Sequence, residues 1–185
     1  MFSSGIIIDE KIVLRAIEPT DLDFLYRLEN DSNYWLSSDN REPRSRYTLK
    51  RYISQCVGDF FTRGELQLII ADRQTNEQIG YVELFNLSNH HKRAEVGVIV
   101  APKWQHQGIA SRVLTVWGDY AIKKIGLHKI VALTDVENMS AQKAFTHANF
   151  QVDATLKNWI WCDGSWHDVV LLSLDSESVG TFPER

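Results

Sequence analysis

In the stretch PKWQHQGIAS, from Pro102 to Ser111, a lone glycine stands where an apolar run gives way to helical spacing. No serine, threonine, aspartate or asparagine directly precedes Ile109 to cap the helix that follows. A helix start carries N–H groups without intrahelical partners, together with the positive end of the helix dipole. An anion can take the role of the missing cap. Gly108 would let phosphate oxygens approach the backbone with no Cβ in the way, and small Ala110 and Ser111 keep the first turn open. The chemistry expected here is the holding of a pyrophosphate. Neither a Walker lysine pattern nor a Gly-x-Gly-x-x-Gly run occurs, which disfavours an ordinary nucleotide-binding loop. Cys56 and Cys162 lack zinc or disulfide-framework spacing, and His90, His91, His106, His128, His147 and His167 lack metal-ligand spacing, so no metal is expected.

The elements that must position this stretch alternate along the chain. KIVLRAI (11–17) reads as a strand, and residues 18–30 as a helix that opens on Pro19 and acids, with Leu22, Leu25 and Leu28 at helical spacing. Residues 48–63 read as a second helix. Strands are expected at 66–72, 78–87 and 93–101, rich in Val, Ile and Tyr. From Gly108 to about Ile125, Ile109, Val113, Val116, Trp117 and Tyr120 follow helical spacing. A short buried strand (129–135), a helix (138–148) and a closing hairpin (150–174) that turns at Asp163-Gly164 complete the order. The expected fold is mixed α/β around one sheet, a single domain over 1–174 with a polar tail over 175–185. A formal charge of −4 gives no basic footprint for nucleic acid, although Arg41, Arg44 and Arg46 cluster locally. No apolar run approaches the roughly 20 residues that span a bilayer, and no leader pattern opens the chain. A cytoplasmic protein without membrane or nucleic-acid partners is expected.

EVGVIVAPKWQHQGIASRVL (95–114) resembles the acetyl-CoA-binding segment of the GNAT (Gcn5-related) N-acetyltransferase superfamily, whose Gln/Arg-x-x-Gly-x-Gly/Ala pattern is met by Gln105, Gly108 and Ala110. ENMSAQKAFTHANF (137–150) resembles a later segment of the same family, and the element order agrees throughout. Within the superfamily the wording is most similar to bacterial spermidine/spermine acetyltransferases, with ribosomal-protein alanine acetyltransferases close behind. The resemblance implies a mostly antiparallel seven-stranded sheet with four helices, splayed between strands 4 and 5, and acetyl-CoA as cosubstrate. It further implies that the backbone of Val98, Ile99 and Val100 pairs with the pantetheine arm. The amides of Gln105, His106, Gln107, Gly108, Ile109 and Ala110 would take the pyrophosphate, and Asn138 would bond the arm from the other side.

Acetyl transfer to an amine needs a held donor, a deprotonated nucleophile, a stabilised oxyanion and a proton for the departing thiolate. An amine such as lysine's, with a pKa of about 10.4, arrives protonated. Glu95 and Glu83, on neighbouring expected strands, are the candidate bases, directly or through water. The thiolate's usual acid is missing. The polyamine-type enzymes carry a tyrosine seven residues after the helix-opening asparagine, and here that residue is Phe145. The serine of the ribosomal-protein subgroup would stand at Ala141, and Ser140 lies one place, about 100°, away on the helix. Solvent or Ser140 could supply the proton, because a thiol pKa of roughly 8.5 makes the thiolate a fair leaving group.

A polycationic acceptor asks for carboxylates. Glu83, Glu95, Asp31, Asp39 and Glu42 qualify, diluted by the three arginines, while Tyr34, Trp35, Trp159, Trp161 and Trp166 could wall the site or simply pack. The expectation is direct acetyl transfer in a ternary complex to a small-molecule or peptide amine such as spermidine. The alternatives are a ribosomal-protein or peptide N-terminal acetyltransferase and a non-catalytic acyl-CoA-binding module. Homo-oligomerisation is left open.

Overall fold

The computed structural model describes residues 5–31, 42–56, 58–162 and 164–178. Tyr34, Trp35, Asp39 and Arg41, and the Asp163 half of the expected hairpin turn, lie outside them. The chain divides into two compact units, Met1–Glu83 with Val98–Gln105 and Leu84–Gly97 with His106–Arg185. Two long strands, β4 (Gln78–Ser88) and β5 (Arg93–Val100), contribute residues to both.

The first unit holds β1 (Ile6–Ile7), β2 (Ile12–Ala16), α1 (Leu22–Glu29), α2 (Arg46–Gln55), α3 (Phe60–Arg63) and β3 (Leu66–Asp72). Its entry to α1 is fixed by a capping box. The Asp21 carboxylate accepts the Glu18 N–H at 2.8 Å, with Pro19 opening the turn. Arg15 grips the fully buried Asp21 through two nitrogens at 2.7 and 2.8 Å, and Gln78 adds a third donor at 2.8 Å. Burial opposes ionisation of Asp21, but these donors outweigh it and hold the carboxyl below its ordinary range. α1 then buries Phe24, Leu25 and Leu28 against Val13, Leu49, Ile69 and Tyr81.

The expected 48–63 helix is two helices. Ser45 caps α2 by accepting the Thr48 N–H at 3.0 Å, so the helix starts at Arg46. Gly58, with φ +97°, breaks the helical path, and Asp59 starts α3 by accepting the Thr62 N–H at 3.0 Å. At Gly80 a Cβ would lie 2.0 Å from the Ile99 carbonyl oxygen, so only glycine admits the close approach of β4 and the end of β5.

The second unit carries α4 (Ile109–Tyr120), β6 (Lys129–Asp135), α5 (Met139–His147), β7 (Gln151–Cys162) and β8 (Ser165–Asp175). α4 buries Ile109, Val113, Leu114, Trp117 and Gly118 and runs on as a single π-type turn, Ala121–Ile125, to Gly126 in the left-handed region. A Cβ on Gly118 would meet a Leu174 methyl at 2.7 Å, which is how the helix lies so close to β8. β7 and β8 pair antiparallel from Gln151↔Ser173 to Cys162↔Ser165.

Among the described residues the strand order is β1-β2-β3-β4-β5-β6-β8-β7, eight strands in one mostly antiparallel sheet, with five helices. β5 and β6 pair in parallel from Arg93↔Lys129 to Glu95↔Val131, although β5 runs on to Val100 and β6 to Asp135. The two counts differ from the expected seven strands and four helices because α2 and α3 separate and because β1 exists. β1 is two residues long, too short for an alternation to be read, and it forms because Asp9 turns the chain by accepting the Lys11 and Ile12 N–H groups at 2.8 and 2.9 Å. No helix among the described residues is long and apolar enough to cross a membrane.

Candidate functional site

In the first unit, the acidic residues gather around β4. Tyr81 and Glu83 are two apart and share one face of the strand. The buried Tyr81 hydroxyl donates to Glu29 Oε1 at 3.0 Å, and Arg44 Nε stands 3.6 Å from the other Glu29 oxygen. Gln67, on β3, donates to Glu83 Oε2 at 3.3 Å. Burial pushes the Glu83 carboxyl up to about 7, the negative charges of Glu29 and Glu65 add to the rise, and Gln67 and Arg44 only partly counter it. Burial, reinforced by Glu29 and Glu83, likewise drives the Tyr81 phenol well above its ordinary value. A carboxyl that exchanges its proton near neutrality beside two further carboxylates can accept a proton from an ammonium and attract a polycation.

Glu95, in the second unit, has different surroundings. It is half-buried on β5, with Asn86 Nδ2 donating to its Oε1 at 3.0 Å.

The stretch expected to hold an anion turns sharply between β5 and α4. Val98, Ile99 and Val100 are half-buried at the end of β5, and Gln105 Nε2 donates back to the Val100 carbonyl at 2.9 Å, fastening the loop's entry. His106 and Gly108 both have positive φ, +60° and +69°, with Gln107 between them. Alternation of this kind turns successive amides into a concavity suited to an anion. Residues 105–108 are exposed, α4 starts at Ile109, and Gly108 serves as its N-cap with no side-chain cap. A Cβ on Gly108 would meet open space, so the glycine is needed for its φ rather than for room. Sequence reasoning missed Arg112, whose guanidinium reaches the Gly108 and Gln107 carbonyls at 3.4 and 3.5 Å and adds positive charge beside the concavity.

On α5, Asn138 Oδ1 caps the helix by accepting the Ala141 N–H at 3.0 Å, which leaves its amide N–H₂ as the group able to donate to a bound arm. Phe145 is buried and packs edge-on against Phe150 with centroids 5.1 Å apart. Ser140 is exposed on the first turn.

The family model for the acetyltransferase (GNAT) domain matches residues 11–151. The chain belongs to the GNAT acetyltransferase family. It is an N-acetyltransferase that takes acetyl-CoA as cosubstrate. It is 30% identical over 165 residues to the spermidine N(1)-acetyltransferase of Vibrio cholerae, across 87% of this chain and 91% of that protein. A crystal structure of the Vibrio cholerae spermidine N-acetyltransferase in complex with CoA and spermine has a TM-score of 0.82 and 27% identity, covering 92% of this acetyltransferase and 99% of that chain. A dodecameric structure of the same enzyme has a TM-score of 0.76 and 27% identity, over 91% of this chain and 96% of that one.

Sequence reasoning also missed the neighbours of Glu83, the acids Glu29 and Glu65 and the donating amide of Gln67. Glu29 did carry a signal. An acid as the last residue of a helix meets the negative end of the helix dipole, and such a residue usually has another reason to be there.

Proposed function

We propose that this acetyltransferase moves the acetyl group of acetyl-CoA onto a primary amine of a polyamine such as spermidine, by direct attack in a ternary complex, with Glu83 as the base. The observation that carries the proposal is the Glu83 carboxyl, raised to about 7 on the same unit as Glu29 and Glu65. A polyamine presents several ammonium groups, and at neutral pH Glu83 can take the proton that the attacking nitrogen must lose. The solved Vibrio cholerae enzyme, which holds CoA and spermine, supports the same acceptor class. Glu95, engaged by Asn86, is the weaker candidate base.

In the second unit the amides from His106 to Ala110 take the donor's pyrophosphate, and the side-chain N–H₂ of Asn138 bonds its arm. The nitrogen attacks the thioester carbon, the carbonyl oxygen gathers charge beside an amide near Val100, and the C–S bond breaks. No tyrosine hydroxyl stands at position 145, so solvent or exposed Ser140 protonates the thiolate, whose reference pKa of roughly 8.5 asks for little help. The family model, over 11–151, takes in residues of both compact units, which supports the reading of one catalytic domain; Asp175, expected to open the tail, still belongs to β8, so the polar tail follows it. A homo-oligomer, supported by the dodecameric relative, and a cytoplasmic location, where acetyl-CoA is available, belong to the same proposal.

The test is thiol release from acetyl-CoA against spermidine, spermine, simple monoamines and short peptides with free N-termini. Spermidine or spermine is expected to be the best acceptor. Preference for the peptides would move the function to protein N-termini, and acetyl-CoA binding without turnover would make the chain a binding module.

A further inference from the structure

The second unit carries a Ser–His–Asp relay that the acetyl-transfer reading does not use. Asp135, the last residue of β6, places Oδ2 2.9 Å from His167 Nδ1 on β8. His167 Nε2 is in turn 3.0 Å from Ser165 Oγ, two residues earlier on the same strand and the same face. A carboxylate can only accept, so Asp135 fixes the tautomer with the proton on Nδ1 and leaves the Nε2 lone pair facing the serine hydroxyl. When the imidazole gains a second proton, the network still closes, because Nε2–H can donate to Ser165 Oγ while the hydroxyl donates to the Cys162 carbonyl at 3.2 Å. The three side chains therefore stay hydrogen-bonded whether the imidazole is neutral, with the hydroxyl donating to Nε2, or protonated, with the hydroxyl turned to the Cys162 carbonyl. Asp135 is itself held firmly: its Oδ1 accepts the Glu137 N–H at 2.8 Å and its carbonyl accepts the Asn138 N–H at 3.0 Å. His167 and Asp135 are largely covered, at 26% and 17% side-chain exposure, whereas Ser165 is exposed and reachable from solvent.

We propose that Ser165 is an activated nucleophile that takes an acyl group from small thioesters or activated esters, a second reactive centre separate from amine acetylation. Ser165 Oγ attacks the carbonyl carbon while its proton passes to His167 Nε2. The carbon–sulfur or carbon–oxygen bond then breaks, the Nε2 proton goes to the leaving group, and Ser165 is left as an acyl ester. Water, deprotonated by the same imidazole, releases the carboxylic acid and restores the hydroxyl. The inference needs only these three side chains and does not rest on Glu83 or on a polyamine acceptor.

The experiment treats the full chain with a fluorophosphonate, which reacts with activated hydroxyls, and reads the modified peptide by mass spectrometry. Labelling is expected at Ser165, slowed by about 10²-fold or more in His167→Gln, in keeping with the loss of a general base, and slowed also in Asp135→Asn. Hydrolysis of p-nitrophenyl acetate, a small activated ester, should fall to the uncatalysed rate in Ser165→Ala, while thiol release from acetyl-CoA with spermidine stays at the wild-type rate. An unlabelled Ser165, or labelling equally fast in folded His167→Gln, would overturn the proposal and leave the three side chains as a fastening of β8 to β6.

Discussion

A carboxyl that ionises near pH 7 divides its population evenly at neutrality, and Glu83 owes that property to its neighbours rather than to its own type. Glu83→Gln keeps the Gln67 contact in outline but cannot take a proton, so kcat should fall by about 10²- to 10⁴-fold, with a smaller change in the KM for acetyl-CoA. A bound polycation beside Glu83 favours its ionised form, so the pH limb of kcat should lie below that of kcat/KM, which reports the free enzyme. Steady-state kinetics across pH checks both statements. Phe145→Tyr tests the missing acid. Phe145 is 5% exposed and packed on Phe150, so a hydroxyl buried there without a partner should cost about 1–3 kcal/mol of stability and give no gain in kcat. Thermal unfolding and turnover measured on the same sample decide this, and a rate increase would mean that the hydroxyl reaches the departing sulfur.

The start of α4 and the β4–β5 pair carry the element-scale consequences. Gly108 has φ +69° and no neighbour where a Cβ would go, so Gly108→Ala meets conformational strain of about 1–2 kcal/mol rather than a clash. The expected outcome is a KM for acetyl-CoA raised about tenfold, the equivalent of about 1.4 kcal/mol, with the KM for the amine little changed. At Gly80 the reason is the opposite, since a Cβ would stand 2.0 Å from the Ile99 carbonyl oxygen, and Gly80→Ala should lower the unfolding temperature as well as the activity. The left-handed Gly108 and the uncapped start of α4, on which the proposed cradle rests, were legible in the sequence because everything that makes them is local: a strand end, a glycine and a helix start without a capping side chain. The proposed preference for Glu83 over Glu95 was not legible. It depends on Glu29 and Glu65 reaching β4 from elsewhere in the chain, a matter of tertiary packing that no spacing rule exposes. The two-helix character of 46–63 was written in Gly58 and Asp59, but the apolar periodicity of the region outweighed that signal. The Ser165–His167–Asp135 relay was invisible for the same reason as Glu29, since its aspartate stands 32 residues from its histidine.

For the whole molecule, the raised Glu83 carboxyl makes a pH-dependent contribution to stability. The folded chain keeps that proton up to about 7, while the unfolded chain gives it up near 4.5, so the folded state binds more protons between those values. Stability from this group is therefore fully present below pH 4.5, declines as pH rises toward 7, and stays at its lower level above. Denaturant unfolding at pH 8 should find Glu83→Gln more stable relative to wild type than at pH 5. Asp21 acts with the opposite sign, since its lowered pKa gives stability that is lost only as the pH falls through the acid range. With a formal charge of −4 and an acidic cluster on one unit, kcat/KM for a polyamine should fall with ionic strength more steeply than for a monoamine. The measurement that tests the account most directly is thiol release from acetyl-CoA with spermidine, followed from pH 5.5 to 9.5 for the wild type and Glu83→Gln. The wild type should turn over with a limb near pH 7 followed by a plateau, because the base removes the ammonium proton. The variant should be slow, its rate climbing toward the amine's own pKa of about 10. Superimposable profiles for the two proteins, or no turnover by the wild type at any pH, would contradict it.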